Sequence, residues 1–147
     1  MDARLKKLKI VFPNGWTDIS AENVDGPPTF INGRLNEPGV LQISTAEYVS
    51  GELPNPNYDD LITLSINIGL RNKFGEIIGK ESGNCRYGKF GVVEFSGTDF
   101  PHISVWHLSN GKDFVFSTFI CSKYPDSSEL NDVRSILMSI KKKGLLF

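Results

Sequence analysis

The sequence predicts an α+β fold in which one antiparallel β-sheet is covered by helices on both faces, as an α/β/α sandwich in a single domain, residues 1–147. Two long apolar runs, 102–108 and 113–121, flank an Asn-Gly pair and indicate a central hairpin. Apolar residues repeat with helical spacing in 58–72 and again near the end of the chain. The length of 147 residues and the composition, 39% hydrophobic and 22% charged, are typical of one globular domain.

The central hairpin is expected to turn at Asn110-Gly111, because these residues tolerate the positive φ angles of a type I′ turn. Such a turn places His107 opposite Phe114 and Trp106 opposite Val115. One face then carries residues 103, 105, 107, 114, 116, 118 and 120, and the other carries residues 102, 104, 106, 108, 115, 117, 119 and 121. Because both faces are largely apolar, the hairpin should lie at the centre of the sheet, with Phe116 buried.

The first part of the chain combines short extended segments with a long loop. Leu8–Phe12 and Trp16–Ile19 are predicted to be extended, with a turn at Pro13-Asn14-Gly15 between them. Residues 21–38 are rich in Gly, Pro and Asn and predict a long loop that includes a short strand at Thr29–Ile31. Long loops in compact domains often carry function, so this segment is a candidate binding region.

A strand and a helix follow this loop. Gly39–Tyr48 alternates in polarity and predicts a strand. Asn57 is a suitable N-cap for a helix over Tyr58–Asn72, where apolar residues recur at spacings of three and four. The β-branched residues and Gly69 leave a strand as the alternative for the second half of this segment.

Two further extended segments precede the central hairpin. They are predicted at Gly75–Lys80 and Cys85–Phe95, with a turn at Ser82-Gly83-Asn84. Gly88 and Gly91 interrupt the second segment and indicate a bulge or a close approach of another backbone.

The end of the chain predicts a helix. Asp126 and Glu129 have the spacing of a capping box at its start. One apolar stripe follows at Leu130, Val133, Ile136, Leu137 and Ile140. Lys141–Lys143 are expected in the last turn, where cations favour the helix dipole, and Gly144 stands just past it.

Three segments carry a resemblance to a known fold: FPNGW at 12–16, VWHLSNGKDFVF at 105–116, and the helix at 127–142 that ends in SILMSIKKK. With the order of elements along the chain, they resemble the Mog1/PsbP-like fold, a curved antiparallel sheet with helices on both sides. The resemblance implies a binding protein or adaptor rather than an enzyme. In size the chain is also similar to small bacterial immunity proteins that neutralise a partner toxin.

The sequence predicts no catalytic, metal or cofactor site. His102 and His107 lie five residues apart in one strand, so their side chains point to opposite faces. Cys85 and Cys121 match no metal-binding or redox spacing and are expected to be buried thiols, with a disulfide between them as the alternative. The alternative function is a small-ligand-binding or hydrolytic domain with a pocket near His102, Asp99 and Cys121.

The charges exclude some classes of partner. The net charge of −1 gives no overall attraction for nucleic acid, and no apolar stretch approaches the ~20 residues of a membrane span. Met1–Lys9 runs into a strand-like segment without a signal peptide's apolar core, which predicts a cytoplasmic protein. Residues 10–70, however, hold eight acidic residues and one base, Arg34, whereas both chain ends are basic.

From these observations we expect a non-catalytic cytoplasmic binding protein, of the inhibitor or immunity type, that engages a basic protein partner through an acidic, loop-rich face. The proposed partner-binding residues are Trp16, Asp18, Glu22, Asp25, Arg34 and Glu37. Tryptophan beside a turn is a common interface anchor, and acidic side chains attract a basic partner. The alternatives are an ordinary solvated surface and a purely structural subunit of an oligomer.

Overall fold

The computed structural model describes residues 2–144. In chain order, the elements are β1 (Leu8–Lys9), β2 (Trp16–Asp18), β3 (Thr29–Asn32), β4 (Val40–Ala46), α1 (Tyr58–Arg71), β5 (Glu76–Cys85), β6 (Gly88–Ser96), β7 (His102–Ser109), β8 (Phe114–Cys121), α2 (Ser127–Ser139) and β9 (Lys141–Lys142). Seven strands form one antiparallel sheet in the order β2-β3-β4-β8-β7-β6-β5. Short 3-10 turns occur at Ala3–Leu5 and Ser20–Glu22.

The two helices cover opposite faces of the large sheet. Ile62 and Ile66 of α1 pack against one apolar cluster, which contains Val93, Phe95, Ile103 and Val105. Helix α2 and the N-terminal segment pack on the other face in a larger cluster, which includes Leu5, Leu41, Trp106, Phe119 and Ile136. The predicted α+β fold, with a central antiparallel sheet and helices on both faces, is confirmed. No helix within residues 2–144 is long and apolar enough to cross a membrane.

The central hairpin has the predicted faces but not the predicted register. His107 lies opposite Phe116 and Trp106 opposite Ser117, a shift of two residues. The loop is longer than a type I′ turn because the Asn110 carboxamide oxygen accepts hydrogen bonds from the backbone N–H groups of Lys112, at 3.0 Å, and Asp113, at 2.8 Å. In this loop only Gly111 has a positive φ, +96°, so the type I′ prediction is wrong. Because side chains alternate between the two faces of a strand, a register shift of two residues leaves each side chain on the same face of the sheet.

The burial of the two hairpin faces is unequal. All eight residues of β7 are buried, as expected for a strand covered on both sides. Phe116, which was predicted to be buried, is only half-buried beneath α1, with its ring centroid 5.0 Å from that of His107. Phe119, on the α2 face of the same strand, is fully buried. The α2 face therefore holds the largest aromatic contribution of this strand to the core.

Helix α1 begins at a complete capping box. The Asp60 N–H donates to the Asn57 side chain at 2.8 Å, and the Asn57 N–H donates to the Asp60 carboxylate at 2.9 Å. The helix continues through Gly69 to Arg71, so the alternative of a strand in its second half is wrong. Gly91 of β6 allows the helix to lie close to the sheet, since a Cβ there would lie 2.9 Å from the Ile62 nitrogen. The close approach predicted at Gly91 is confirmed.

Strand β5 is continuous where a turn was predicted. It runs through Ser82-Gly83-Asn84 to Cys85, and the chain reverses at Arg86 and Tyr87 instead. A register shift between Ile77 and Gly79 marks the only irregularity in its pairing with β6. Strand β5 lies at the edge of the sheet, and most of its side chains are exposed. The small polar residues 82–84 therefore remove few packing contacts from this strand.

The two ends of the described chain pair with each other. Strand β1 is shorter than the predicted Leu8–Phe12 and pairs with β9, so that Leu8 lies opposite Lys142. Lys141–Lys143, predicted in the last turn of the helix, follow it in an extended conformation, because α2 ends at Ser139 and Ile140 has a ψ of 130°. The ribbon buries Leu8 and Ile140 against the core.

Helix α2 has half of the predicted capping box. The Asp126 carboxylate accepts a hydrogen bond from the Glu129 N–H at 2.9 Å. The Glu129 carboxylate instead accepts a hydrogen bond from the Gly39 N–H at 2.7 Å. Burial of this carboxylate raises its pKa. Glu129 thus ties the loop before β4 to α2.

Asp126→Ala should lower the free energy of unfolding by about 1 kcal/mol, because it leaves the Glu129 N–H without its cap. Urea denaturation of the purified variant measures this loss. Ser128→Ala, at an exposed position in the first turn of the same helix, is the matched control and should be nearly neutral. Equal losses in the two variants would contradict the capping role.

Candidate functional site

The acidic, loop-rich segment lies at one edge of the large sheet, on and around β2. Trp16 is half-buried against the core, and its indole N–H donates to the Asp132 carboxylate of α2 at 3.0 Å. Trp16 and Asp18 share one face of the strand, because side chains alternate along it. The tryptophan is therefore held in a fixed orientation at the boundary between the sheet edge and α2.

Asp18 belongs to a small polar cluster with the N-terminal segment. Its carboxylate accepts hydrogen bonds from the backbone N–H groups of Asp2, at 3.1 Å, and Ser20, at 2.9 Å. Arg4 pairs with Asp2 at 2.9 Å and holds the pKa of Asp2 down, at about 2. Arg4 and Asp18 line an open cleft of about 610 Å³, and Arg4 and Asp25 line a second of about 460 Å³. Asp18 and Asp25 therefore each share a cleft with Arg4.

The other proposed partner-binding residues lie in the two connections that flank β3, which leave opposite ends of the β2–β3 ribbon. The stem of Arg34 lies against Gly15, where an added Cβ would be 2.8 Å from its Cδ, so Arg34 and Trp16 both adjoin the turn before β2. Glu22 lies in the 3-10 turn, Glu37 lies in the loop before β4, and both are exposed. Within residues 2–144, no hydrogen bond or ion pair joins Glu22 or Glu37 to the rest of the set.

The basic N-terminal segment neutralises part of the charge of residues 10–70, because Lys7 pairs with Glu47 at 3.0 Å. Lys142, near the other end, pairs instead with Asp113, outside this segment. None of the ion pairs in the described part of the chain includes the four exposed acids of the proposed site, Asp18, Glu22, Asp25 and Glu37. These four carboxylates are therefore not neutralised by an ion pair within residues 2–144.

His102 and Cys121 come together, but Asp99 does not join them. His102 and Cys121 are cross-strand partners on the α2 face of the sheet. Asp99 is exposed and lines a different cavity, of about 580 Å³, beside Phe74 and Ile103 at the end of α1. Burial, with the nearby Glu129 carboxylate, raises the pKa of Cys121 to about 12, so its thiol is protonated at neutral pH and is a poor nucleophile.

The two histidines lie on opposite faces, as predicted. His107 faces α1, where its Nδ1 lies 2.7 Å from the Ser65 hydroxyl, and burial lowers its pKa to about 4. His102 is fully buried between the rings of Phe119 and Tyr124, and burial also lowers its pKa. Both rings are therefore neutral at pH 7. The Ser65–His107 pair is buried between helix and sheet, where a substrate has no access to it.

Both cysteines are free thiols, so the alternative of a disulfide between Cys85 and Cys121 is wrong. No group of three His, Cys, Asp or Glu side chains in residues 2–144 is placed to hold a metal ion.

A small polar cavity between α2 and the sheet was missed by the sequence interpretation. It has a volume of about 140 Å³, and Glu94 and Arg134 lie among its lining residues. The alternation in β7 already placed His102, Ser104 and Trp106 on this face. The position of Arg134 beside that row depends on how α2 crosses the sheet, for which the sequence carries no local signal.

Comparison with known proteins identifies the fold. No protein-family model matches the chain, and no curated protein matches it. The solution structure of cyanobacterial PsbP (CyanoP) from Synechocystis sp. PCC 6803 superposes with a TM-score of 0.59 at 13% identity, covering 97% of this chain and 89% of that one. A crystal structure of a Bacteroides thetaiotaomicron VPI-5482 protein gives a TM-score of 0.51 at 13% identity, covering 94% of this chain and 46% of that one.

The predicted Mog1/PsbP-like fold is thus confirmed, since the cyanobacterial PsbP matches over nearly the whole chain. At 13% identity the likeness concerns the fold alone. The comparisons give no support to the similarity to immunity proteins.

Proposed function

We propose that this chain is a non-catalytic binding protein that engages a basic protein partner through the β2 edge of its sheet. The site, called here the acidic edge, consists of Trp16, Asp18, Glu22, Asp25, Arg34 and Glu37. The observation that carries the proposal is that four carboxylates of this set, those of Asp18, Glu22, Asp25 and Glu37, are exposed and lie outside the ion pairs of the described chain. A partner with positive charge would be steered toward such a surface.

The acidic edge also offers apolar contact area. Val24 is 74% exposed and lines the open cleft beside Asp18 and Arg4. Trp16 is fixed by its hydrogen bond to Asp132, so docking against it costs little side-chain entropy. A fixed aromatic side chain and an exposed apolar residue on the same stretch of chain, with acidic residues between and after them, are features that protein interfaces commonly use.

The same charges disfavour other partners. Phosphate backbones and anionic lipid surfaces would be repelled by the four carboxylates of the acidic edge. The proposal therefore excludes nucleic acid and membranes as partners and includes a location in the cytoplasm, where Cys85 and Cys121 remain reduced. An inhibitor or immunity-type protein of a bacterial cell, which neutralises a basic toxin or enzyme, is the narrower form of the proposal.

The test begins with a tagged chain recovered from its native cells with any stoichiometric partner. Association and dissociation rates are then measured at several ionic strengths. The triple variant E22K/D25K/E37K should slow association about tenfold or more at low salt, with little change in dissociation and in melting temperature. The association rate of the unmodified protein should fall as salt rises.

The matched control is E52K/E76K/D99K, which makes the same change in net charge at exposed positions away from the acidic edge. An effect of net charge alone would slow association equally in both triple variants and would contradict the proposed site. An association rate independent of salt would also contradict it. The recovery of nucleic acid instead of a protein would contradict the partner class.

A further inference from the structure

The chain contains three Asn-Gly pairs, and each lies at a place where the chain turns. They are Asn14-Gly15 before β2, Asn32-Gly33 at the end of β3, and Asn110-Gly111 between β7 and β8. An asparagine followed by glycine is chemically labile, because glycine has no side chain to hinder an attack of its backbone nitrogen on the asparagine carboxamide. The three pairs share this local chemistry, so differences in their reactivity in the folded protein come from the structure.

The reaction of such a pair is a deamidation that needs only water. The glycine nitrogen forms a bond to the side-chain carbonyl carbon of the asparagine. The bond from that carbon to the carboxamide nitrogen breaks, and this nitrogen leaves as ammonia with the proton of the glycine N–H. Water then opens the five-membered imide at one of its two carbonyl carbons, which gives aspartate or isoaspartate. The glycine nitrogen and the asparagine side chain must therefore be able to approach each other.

The folded structure holds both reacting groups of Asn32-Gly33. The Gly33 N–H donates to the Gly15 carbonyl oxygen at 2.8 Å, which ties the attacking nitrogen to the neighbouring chain segment. The Asn32 side-chain oxygen accepts a hydrogen bond from the Arg34 N–H at 3.1 Å. Both hydrogen bonds must be given up before the nitrogen can reach the carboxamide carbon, so this pair is protected.

The pair Asn110-Gly111 is held in a similar way. The Asn110 side-chain oxygen accepts hydrogen bonds from the N–H groups of Lys112, at 3.0 Å, and Asp113, at 2.8 Å. The Gly111 N–H donates to the Ser109 hydroxyl at 3.1 Å. The attacking nitrogen and the carboxamide are thus each bound to a different partner, although the loop is at the surface.

The pair Asn14-Gly15 has no such restraint. It forms the middle of a β-turn in which the Trp16 N–H donates to the Pro13 carbonyl oxygen at 3.3 Å. Gly15 is the third residue of this turn and has a φ of +97°, as in a type II turn. Within residues 2–144, neither the exposed Asn14 side chain nor the Gly15 N–H takes part in a hydrogen bond. No contact of the fold has to be given up by either reacting group.

We propose that Asn14 is a modification site, at which the folded protein deamidates spontaneously. At least two hydrogen bonds restrain each of the other pairs, so Asn14 should react about tenfold faster than Asn32 or Asn110. The product carries a new carboxylate two residues before Trp16 and changes the net charge from −1 to −2. The added charge beside Trp16 matters for binding only if the proposed function is correct, but the reaction itself does not depend on that function.

Peptide mapping of the aged protein tests the proposal without a binding partner. The purified full chain is kept in neutral buffer for several weeks and sampled at intervals. Cleavage after glutamate places the three pairs on separate peptides, because this residue type separates them at positions 22, 37, 94 and 129. Mass spectrometry measures the fraction of each pair whose mass has risen by one dalton. The peptide with Asn14 should convert about tenfold faster than the pairs at Asn32 and Asn110, and equal or faster conversion of either would overturn the proposal.

Two controls separate the effect of the fold from the local chemistry. In guanidinium chloride the three pairs should convert at comparable rates, because the native hydrogen bonds are absent. If Asn14 stays unchanged in the folded protein while the unfolded chain converts, the turn protects it and the proposal is overturned. Asn14→Gln lengthens the side chain by one methylene and should stop conversion of the peptide that ends at Glu22, in which Asn14 is the only asparagine. A mass increase that persists in this variant would also overturn the proposal.

Discussion

Phe119→Ala should lower the free energy of unfolding by about 3–5 kcal/mol, because the ring is fully buried at the centre of the α2 face. The ring centroid lies 6.1 Å from that of His102, and the backbone of Gly39 packs directly on the ring, where a Cβ would overlap it. Neither neighbour can fill the space that a methyl group would leave, so the variant should retain a cavity. Guanidinium denaturation of the unmodified protein and of the variant measures the loss. The slope of the unfolding free energy against denaturant concentration should be the same for both.

Phe116→Ala is the matched control, because it makes the same chemical change three residues earlier on the same strand. Its side chain faces α1 and is only half-buried, so the loss should be clearly smaller than at Phe119. An equal or larger loss at Phe116 would show that the α1 face, and not the α2 face, holds the main core of this strand. If the slope of unfolding free energy against denaturant concentration changes in one variant, that substitution has altered the denatured state, and its loss of stability is not due to the cavity alone.

The sequence determined the faces of the central hairpin more reliably than its register. The faces follow from the alternation of side chains along the strands 102–108 and 113–121. An error of two residues in the pairing register therefore leaves every side chain on its predicted face. The register depends on the turn, and the Asn110 side chain competes with a type I′ turn by binding two backbone N–H groups of its own loop. Local propensity does not decide between these two uses of an asparagine.

The errors outside the hairpin have tertiary causes. Ser82-Gly83-Asn84 has turn chemistry, but β5 is held straight by its pairing with β6. Lys141–Lys143 continue a helical pattern of charge, but the chain leaves the helix because Ile140 is buried in an extended conformation next to β1. In both places a neighbouring strand far away in the sequence overrides the local preference.

The candidate sites show the same limit. The exposed position of Glu22, Asp25 and Glu37 follows from loop composition, which the sequence displays. The hydrogen bond from Trp16 to Asp132 spans 116 positions, and the small cavity between α2 and the sheet depends on where Arg134 meets β5. Such contacts are set by the packing of complete elements, so residue type and spacing alone do not predict them.

Gly69→Leu should lower the free energy of unfolding by about 3 kcal/mol, although leucine is a much better helix former than glycine. Gly69 is buried in α1 at the point where the helix crosses β6, and a Cβ there would overlap the Phe95 ring. Phe95 is itself buried and packs edge-on against Phe74, with ring centroids 5.9 Å apart, so the ring has little room to move. Thermal and urea unfolding, followed by circular dichroism, measure the loss.

Asn67→Leu separates packing from propensity, because position 67 is exposed in the same helix and gains a similar intrinsic preference. This variant should be neutral or slightly stabilising, and a stabilised Gly69→Leu variant would show that α1 does not rest on Phe95. The steric origin of the loss also predicts a rescue. Phe95→Ala should restore part of the stability of Gly69→Leu, since the leucine can occupy the space of the ring. The coupling between the two substitutions should therefore exceed about 1 kcal/mol, as it does for residues in direct contact.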